Sequence, residues 1–167
     1  FGGTELVLID DTVEQMIDLT ESYGARVSGL GLNGKRLGQG IRGIYLNGEG
    51  HKQEDTVFIE NCRISLFTGD AIHLNHIWGF TVRDNMMIFN DGDGLNFSCW
   101  DGWIHDNIIN NCKGWGINAR PWNGAITMVG NRIEWNDKGG VLAAAGSHYS
   151  INDNYIDRSG GPGVHLH

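Results

Sequence analysis

The chain has 167 residues, one domain's worth, with 26 glycines, 2 prolines and a net charge of −8. That charge excludes a nucleic-acid binder, which needs a basic surface, and disfavours direct grip on a polyuronate unless Ca²⁺ bridges the two anions. No run of 18 apolar residues occurs, so no membrane-spanning helix is expected.

Taken in order, Phe1–Ile9 is an apolar, strand-like start. Met16–Leu19 and Val27–Leu32 read as the strands of a first coil, followed by a long turn, Asn33–Gly40, that holds most of the local basic charge. Gly43–Leu46 opens a second coil, whose first turn is enlarged by Glu49–Asp55. A loop protruding there is either a recognition element or a solvated turn. The chain begins without methionine and stops within Gly163–His167, which reads as an excised piece of a longer protein. The three cysteines, Cys62, Cys99 and Cys112, have no Cys-x-x-Cys spacing, and the seven histidines have no metal-ligand spacing.

From Ala71 to Gly140 one unit is written three times. Ala71-Ile72-His73-Leu74, Gly94-Leu95-Asn96-Phe97 and Gly116-Ile117-Asn118-Ala119 alternate apolar and polar, as short strands do. Each leads to a tryptophan (Trp78, Trp100, Trp122), an apolar position (Val82, Ile104, Met128), an asparagine (Asn85, Asn107, Asn131) and a further apolar position (Met87, Ile109, Ile133). A fourth asparagine, Asn154, continues steps of 22, 24 and 23 residues. A unit this short cannot bury its apolar side alone and must stack on its neighbours. Three strands per coil predict an all-β, parallel β-helix of six to seven coils, 22–24 residues each, with three parallel sheets and no domain boundary.

Stacked at about 4.8 Å, the asparagines can pass amide hydrogen bonds between coils, and they tolerate the left-handed backbone of a corner. Cys62 and Leu30 hold that column in earlier coils. The same register places Ile44, Ile72, Leu95, Ile117, Val141 and Val164 in one inward column, and Leu46, Leu74, Phe97, Ala119, Ala143 and Leu166 in the next.

The rhythm of Ile104-His105-Asp106-Asn107-Ile108-Ile109 and Ile151-Asn152-Asp153-Asn154-Tyr155-Ile156 resembles the right-handed parallel β-helix repeat of the pectate-lyase-like superfamily, over Leu19 to His167. That superfamily includes polysaccharide lyases, polygalacturonase-type hydrolases, uronan epimerases, inulin fructotransferases and phage tailspikes. The tryptophan- and Gly-Asp-Gly-rich style also resembles β-helix modules of bacterial and prophage surface proteins. The resemblance implies an extracellular or virion/cell-surface location and a polysaccharide or oligosaccharide laid along the first sheet. The polygalacturonase-type and pectate-lyase catalytic signatures are not present.

On that sheet the outward columns carry Tyr45, His73, Asn96, Asn118, Leu142 and His165, then Asn47, Asn75, Ser98, Arg120, Ala144 and His167, a largely polar face suited to sugar hydroxyls. Asp70 and Asp93 precede it at equivalent positions. Stacked carboxylates about 5 Å apart suit a retaining glycosidase. With Asp91 they could instead hold Ca²⁺, or they are turn aspartates accepting backbone N–H bonds. Trp78, Trp100 and Trp122 form either an exposed strip for pyranose faces or a corner cap on the core. Two functions are consistent with these features: a carbohydrate-binding and possibly carbohydrate-cleaving module, or a structural shaft whose faces pack into a homotrimer.

Overall fold

A computed structural model describes residues 3–50 and 54–167. Of the enlarged turn expected at Glu49–Asp55, residues 51–53 lie outside the described residues. The chain is a parallel β-helix. β1 (Glu5–Val7) precedes a first coil of β2 (Gln15–Asp18), β3 (Arg26–Ser28) and β4 (Gly31–Asn33). The second holds β5 (Arg42–Asn47), β6 (Val57–Glu60) and β7 (Arg63–Ser65). The third is β8 (Ile72–Arg83) with β9 (Met86–Ile88), and the fourth β10 (Leu95–His105) with β11 (Ile108–Asn110). β12 (Trp115–Ala119), β13 (Gly124–Val129) and β14 (Arg132–Glu134) form the fifth. β15 (Gly139–Ala143), β16 (Ser147–Asn152) and β17 (Tyr155–Asp157) form the sixth, and β18 (Val164–Leu166) starts a seventh.

Every strand pairs in parallel with its counterpart one coil away. Ile44, Ile72, Leu95, Ile117, Val141 and Val164 stand opposite one another in the expected order. Leu74, Phe97 and Ile117 are fully buried, as are Ile104 and Ile109 from the other two faces. The three faces were expected to be three sheets, but hydrogen bonding joins the first two. β8 and β10 run 12 and 11 residues without a break through the bend between those faces, so only the third face is a separate, seven-stranded sheet.

The asparagine ladder forms as expected. Asn107 Oδ1 accepts from the Asn85 backbone N–H at 3.1 Å and from Asn85 Nδ2 at 3.2 Å. Asn131 Oδ1 does the same for Asn107, and Asn154 Oδ1 for Asn131. Each amide also donates inward to a carbonyl, as Asn107 Nδ2 does to Val82 O at 2.8 Å. One expectation is corrected. The left-handed residue of this corner is the one before each ladder position: Asn61, Asp84, Asp106, Gly130 and Asp153, with φ of 53–68°. The ladder asparagines are free to aim their amides along the axis because the preceding residue makes the turn.

A second column was not anticipated. At the next corner Asn90 Oδ1 accepts the Phe67 N–H and Asn136 Oδ1 accepts the Cys112 N–H, both at 3.1 Å. Cys112 interrupts this column, and its buried thiol is pushed up to about 12 by loss of solvent.

Candidate functional site

Outward residues of β8, β10 and β12 meet on the first face. The register sets Asn96 beside His73 on one side and Asn118 on the other, with Asn75 beside Ser98. Arg120, immediately after β12, folds back across two coils. Its Nε donates to Asn96 Oδ1 at 2.5 Å, and its Nη2 reaches both Asn75 Oδ1 and, at 3.3 Å, His73 Nε2. Asn96, expected on an open surface, is therefore only 8% exposed.

Asp70 and Asp93 do stack, the Ala71 N–H donating to the Asp93 carbonyl. Their side chains, however, turn inward to the structure. Asp70 Oδ1 accepts the Asp93 N–H at 2.7 Å, and Asp93 Oδ1 accepts the Trp115 N–H at 2.6 Å. The carboxylates fit because the facing residues, Gly92 and Gly114, lack a Cβ, which would collide with Asp70 Oδ1 and Asp93 Oδ1 respectively. The second oxygens are also engaged. Asp70 Oδ2 lies 2.7 Å from His73 Nδ1. Asp93 Oδ2 accepts from Asn96 Nδ2 at 3.0 Å and Asn118 Nδ2 at 2.7 Å. Burial first, and then the Asp70 charge, push the Asp93 carboxyl up despite these bonds.

The geometry gives the two aspartates a positioning role. A carboxylate accepts only, so Asp70 holds His73 with its proton on Nδ1, and Nε2 is left to receive Arg120. Asp93 orients both asparagines. A Ca²⁺ cluster with Asp91 does not assemble: Asp91 pairs with Arg36 at 2.5 Å and Lys113 at 2.9 Å. Among the described residues no three acidic, histidine or cysteine side chains converge as metal ligands.

The tryptophans divide. Trp78 and Trp100 are opposite each other, half-buried and stacked, with ring centroids 5.4 Å apart and planes 25° from parallel. Trp122 is not their neighbour, because Trp100 pairs with Gly124. Two extra residues in the bend after Arg120 push Trp122 outward, where it is 71% exposed. The expected strip of three is a pair. Its site is the bend at the edge of the first face, and it lies outside the hydrogen-bonded array of Arg120.

What these coils define is a solenoid with a regular interior and one face of cross-linked polar side chains. Residues 42–167 match the family described as the right handed beta helix region, and the chain belongs to that family. The match agrees with the resemblance to the pectate-lyase-like superfamily carried by the Ile-x-x-Asn-x-Ile rhythm. No curated protein and no solved structure matches the chain.

Proposed function

We propose that the protein binds a polysaccharide along its first face, with His73, Asn96, Asn118 and Arg120 as the contact residues. The observation that carries this reading is the array itself. Over three coils, Asp70 and Asp93 hold His73, Asn96 and Asn118, and Arg120 bonds in turn to Asn96, Asn75 and His73. Such a surface supplies donors and acceptors in fixed positions, so little side-chain entropy is lost when hydroxyl groups replace water. Asn118 Oδ1 is buried without a partner among the described residues, so the array does not use all of its own acceptors. Binding rather than cleavage fits best, because both oxygens of each aspartate are already committed within the fold.

Native-gel retardation in a panel of neutral and acidic polysaccharides tests the proposal. Arg120→Ala should weaken retention by the bound polysaccharide by about tenfold, as loss of a charge-assisted bond does. Thermal unfolding should change little. Retention unchanged from the parent in both Arg120→Ala and His73→Ala would remove this face as the site and leave the structural shaft, testable by sedimentation for a trimer.

A further inference from the structure

At the bend between the first and second faces the pairing of β8 with β10 slips. Asn75 pairs with Ser98, but Trp78 pairs with Trp100, so the third coil carries one extra residue between those points. This is a β-bulge, a device that re-aims side chains and is over-represented beside sites. His76 lies in it with φ of 51°, in the left-handed region. Its Nδ1 has no hydrogen-bond partner among the described residues. Neither packing regularity nor a satisfied hydrogen bond accounts for an imidazole there.

The bulge, the stacked Trp78–Trp100 pair and the Gly48-Glu49-Gly50 turn of the preceding coil enclose one shallow pocket of about 280 Å³. Gly48 and Gly50 contribute no side chains to it. Glu49 is the sole formally charged residue among the described residues lining it. An aromatic platform beside a carboxylate and an imidazole matches the two kinds of surface of an uncharged sugar ring, an apolar face and a rim of hydroxyls. The same carboxylate, on a chain of net charge −8, repels an acidic sugar.

We infer that the bulged bend at His76, Trp78 and Trp100 is a second carbohydrate subsite, specific for a neutral pyranose ring and separate from the Arg120 array. It rests on the proposed function only in taking the ligand to be a glycan.

Calorimetric titration of the whole chain with cellohexaose, mannohexaose and N-acetylchitohexaose tests it. At least one should bind, and Trp78→Ala should weaken that binding about tenfold. His76→Ala, which leaves the indole stack in place, should weaken it measurably while thermal unfolding stays near that of the parent. Arg120→Ala should weaken it less than Trp78→Ala does. Binding that falls with Arg120→Ala but not with Trp78→Ala or His76→Ala overturns the subsite and keeps the first-face reading. Loss in the Trp78 and His76 variants alone, with polysaccharide retention insensitive to Arg120→Ala, keeps the subsite and removes the first-face reading. If none of the three sugars binds, or if choline chloride binds in their place in a Trp78-dependent way, the neutral-sugar assignment is wrong.

Discussion

The asparagine ladder and the first face are both stacks of polar side chains, yet they are wired differently. In the ladder each amide repeats one pattern, bonding to the same residue type one coil away and to a carbonyl beneath it. Asn107 and Asn131 are each 1% exposed. On the first face no two coils contribute the same set. Asp70, His73 and Asn75 come from one coil, Asp93 and Asn96 from the next, and Asn118 and Arg120 from a third. The array is bonded across coils but leaves Asn118 Oδ1 unpartnered. A corner solves the same problem in every turn, so its residues repeat. The first face makes different bonds in each coil, so its residues do not repeat.

The sharpest way to break this contrast is to remove one member from each. Asn107→Ala strands the Asn85 N–H and takes one bond each from the Asn85 amide, the Val82 carbonyl and Asn131 Oδ1, which keeps the backbone N–H of residue 107. At roughly 1–3 kcal/mol per buried group left unsatisfied, partly relieved by water, a loss on the order of 3 kcal/mol in urea unfolding is expected. Arg120→Ala also breaks three contacts, but on a face that water can reach, and should cost about 1 kcal/mol or less. Equal losses would mean that the face is as structural as the ladder.

Two aspartates two residues apart sharpen the comparison by titrating in opposite directions. Around Asp91 burial pushes the carboxyl up, but Lys113 and Arg36 outweigh it and hold it below the usual range. Its contribution to stability is present above the unfolded value and is lost as pH falls through the lowered one. Asp93 is the reverse. With its folded value raised, it favours folding most below the unfolded aspartate value of about 3.9, and that contribution is lost as pH rises through the raised value. Asp93→Asn should therefore flatten the decline of stability with rising pH. The new amide can donate to Asn118 Oδ1 once the Asn118 amide flips, but it faces the Asn96 Nδ2 donor, so some stability is lost at every pH while the slope is reduced. An unaltered pH profile would show that Asp93 is not held against its charge.

What could be read from the chain follows the same division. The inward columns, the ladder and the coil count were legible because a fixed apolar or amide position recurs at every turn. The Asn90–Cys112–Asn136 column carries the same period but was missed, since Cys112 breaks the run of one residue type. Asp70, His73, Asn96, Asn118 and Arg120 could be placed on one face. Their bonds could not, because Arg120 reaches sideways across two coils, and no spacing rule encodes that. The inward turn of both carboxylates was hidden for the same reason, although Gly92 and Gly114, the bare positions that admit them, stand in the sequence. The bulge at His76 left only one trace, a second residue between Asn75 and Trp78 where Ser98 and Trp100 are separated by one.

Trp122 shows how a period can mislead, and it carries the smallest expected effect. Its 22-residue step from Trp100 suggested a third stacked ring. The ladder step over the same coil, Asn107 to Asn131, is 24, and that excess of two already placed an insertion somewhere in the coil. The pairing of Trp100 with Gly124 locates it just before Gly124, so Trp122 sits on a protruding bend that Ser98 ties down through the Pro121 carbonyl. Trp122→Gly removes a ring that buries little, and it relieves a left-handed φ of 69° that glycine adopts freely. Against that stands the extra freedom glycine gives the unfolded chain, about 0.4–1 kcal/mol. The two nearly cancel, and stability by thermal unfolding should stay within about 0.5 kcal/mol of the parent, as for an exposed substitution away from special features. Affinity for the neutral hexasaccharides should be unchanged. A drop in that affinity matching that of Trp78→Ala would return Trp122 to the platform and make the sugar-binding strip three rings long after all.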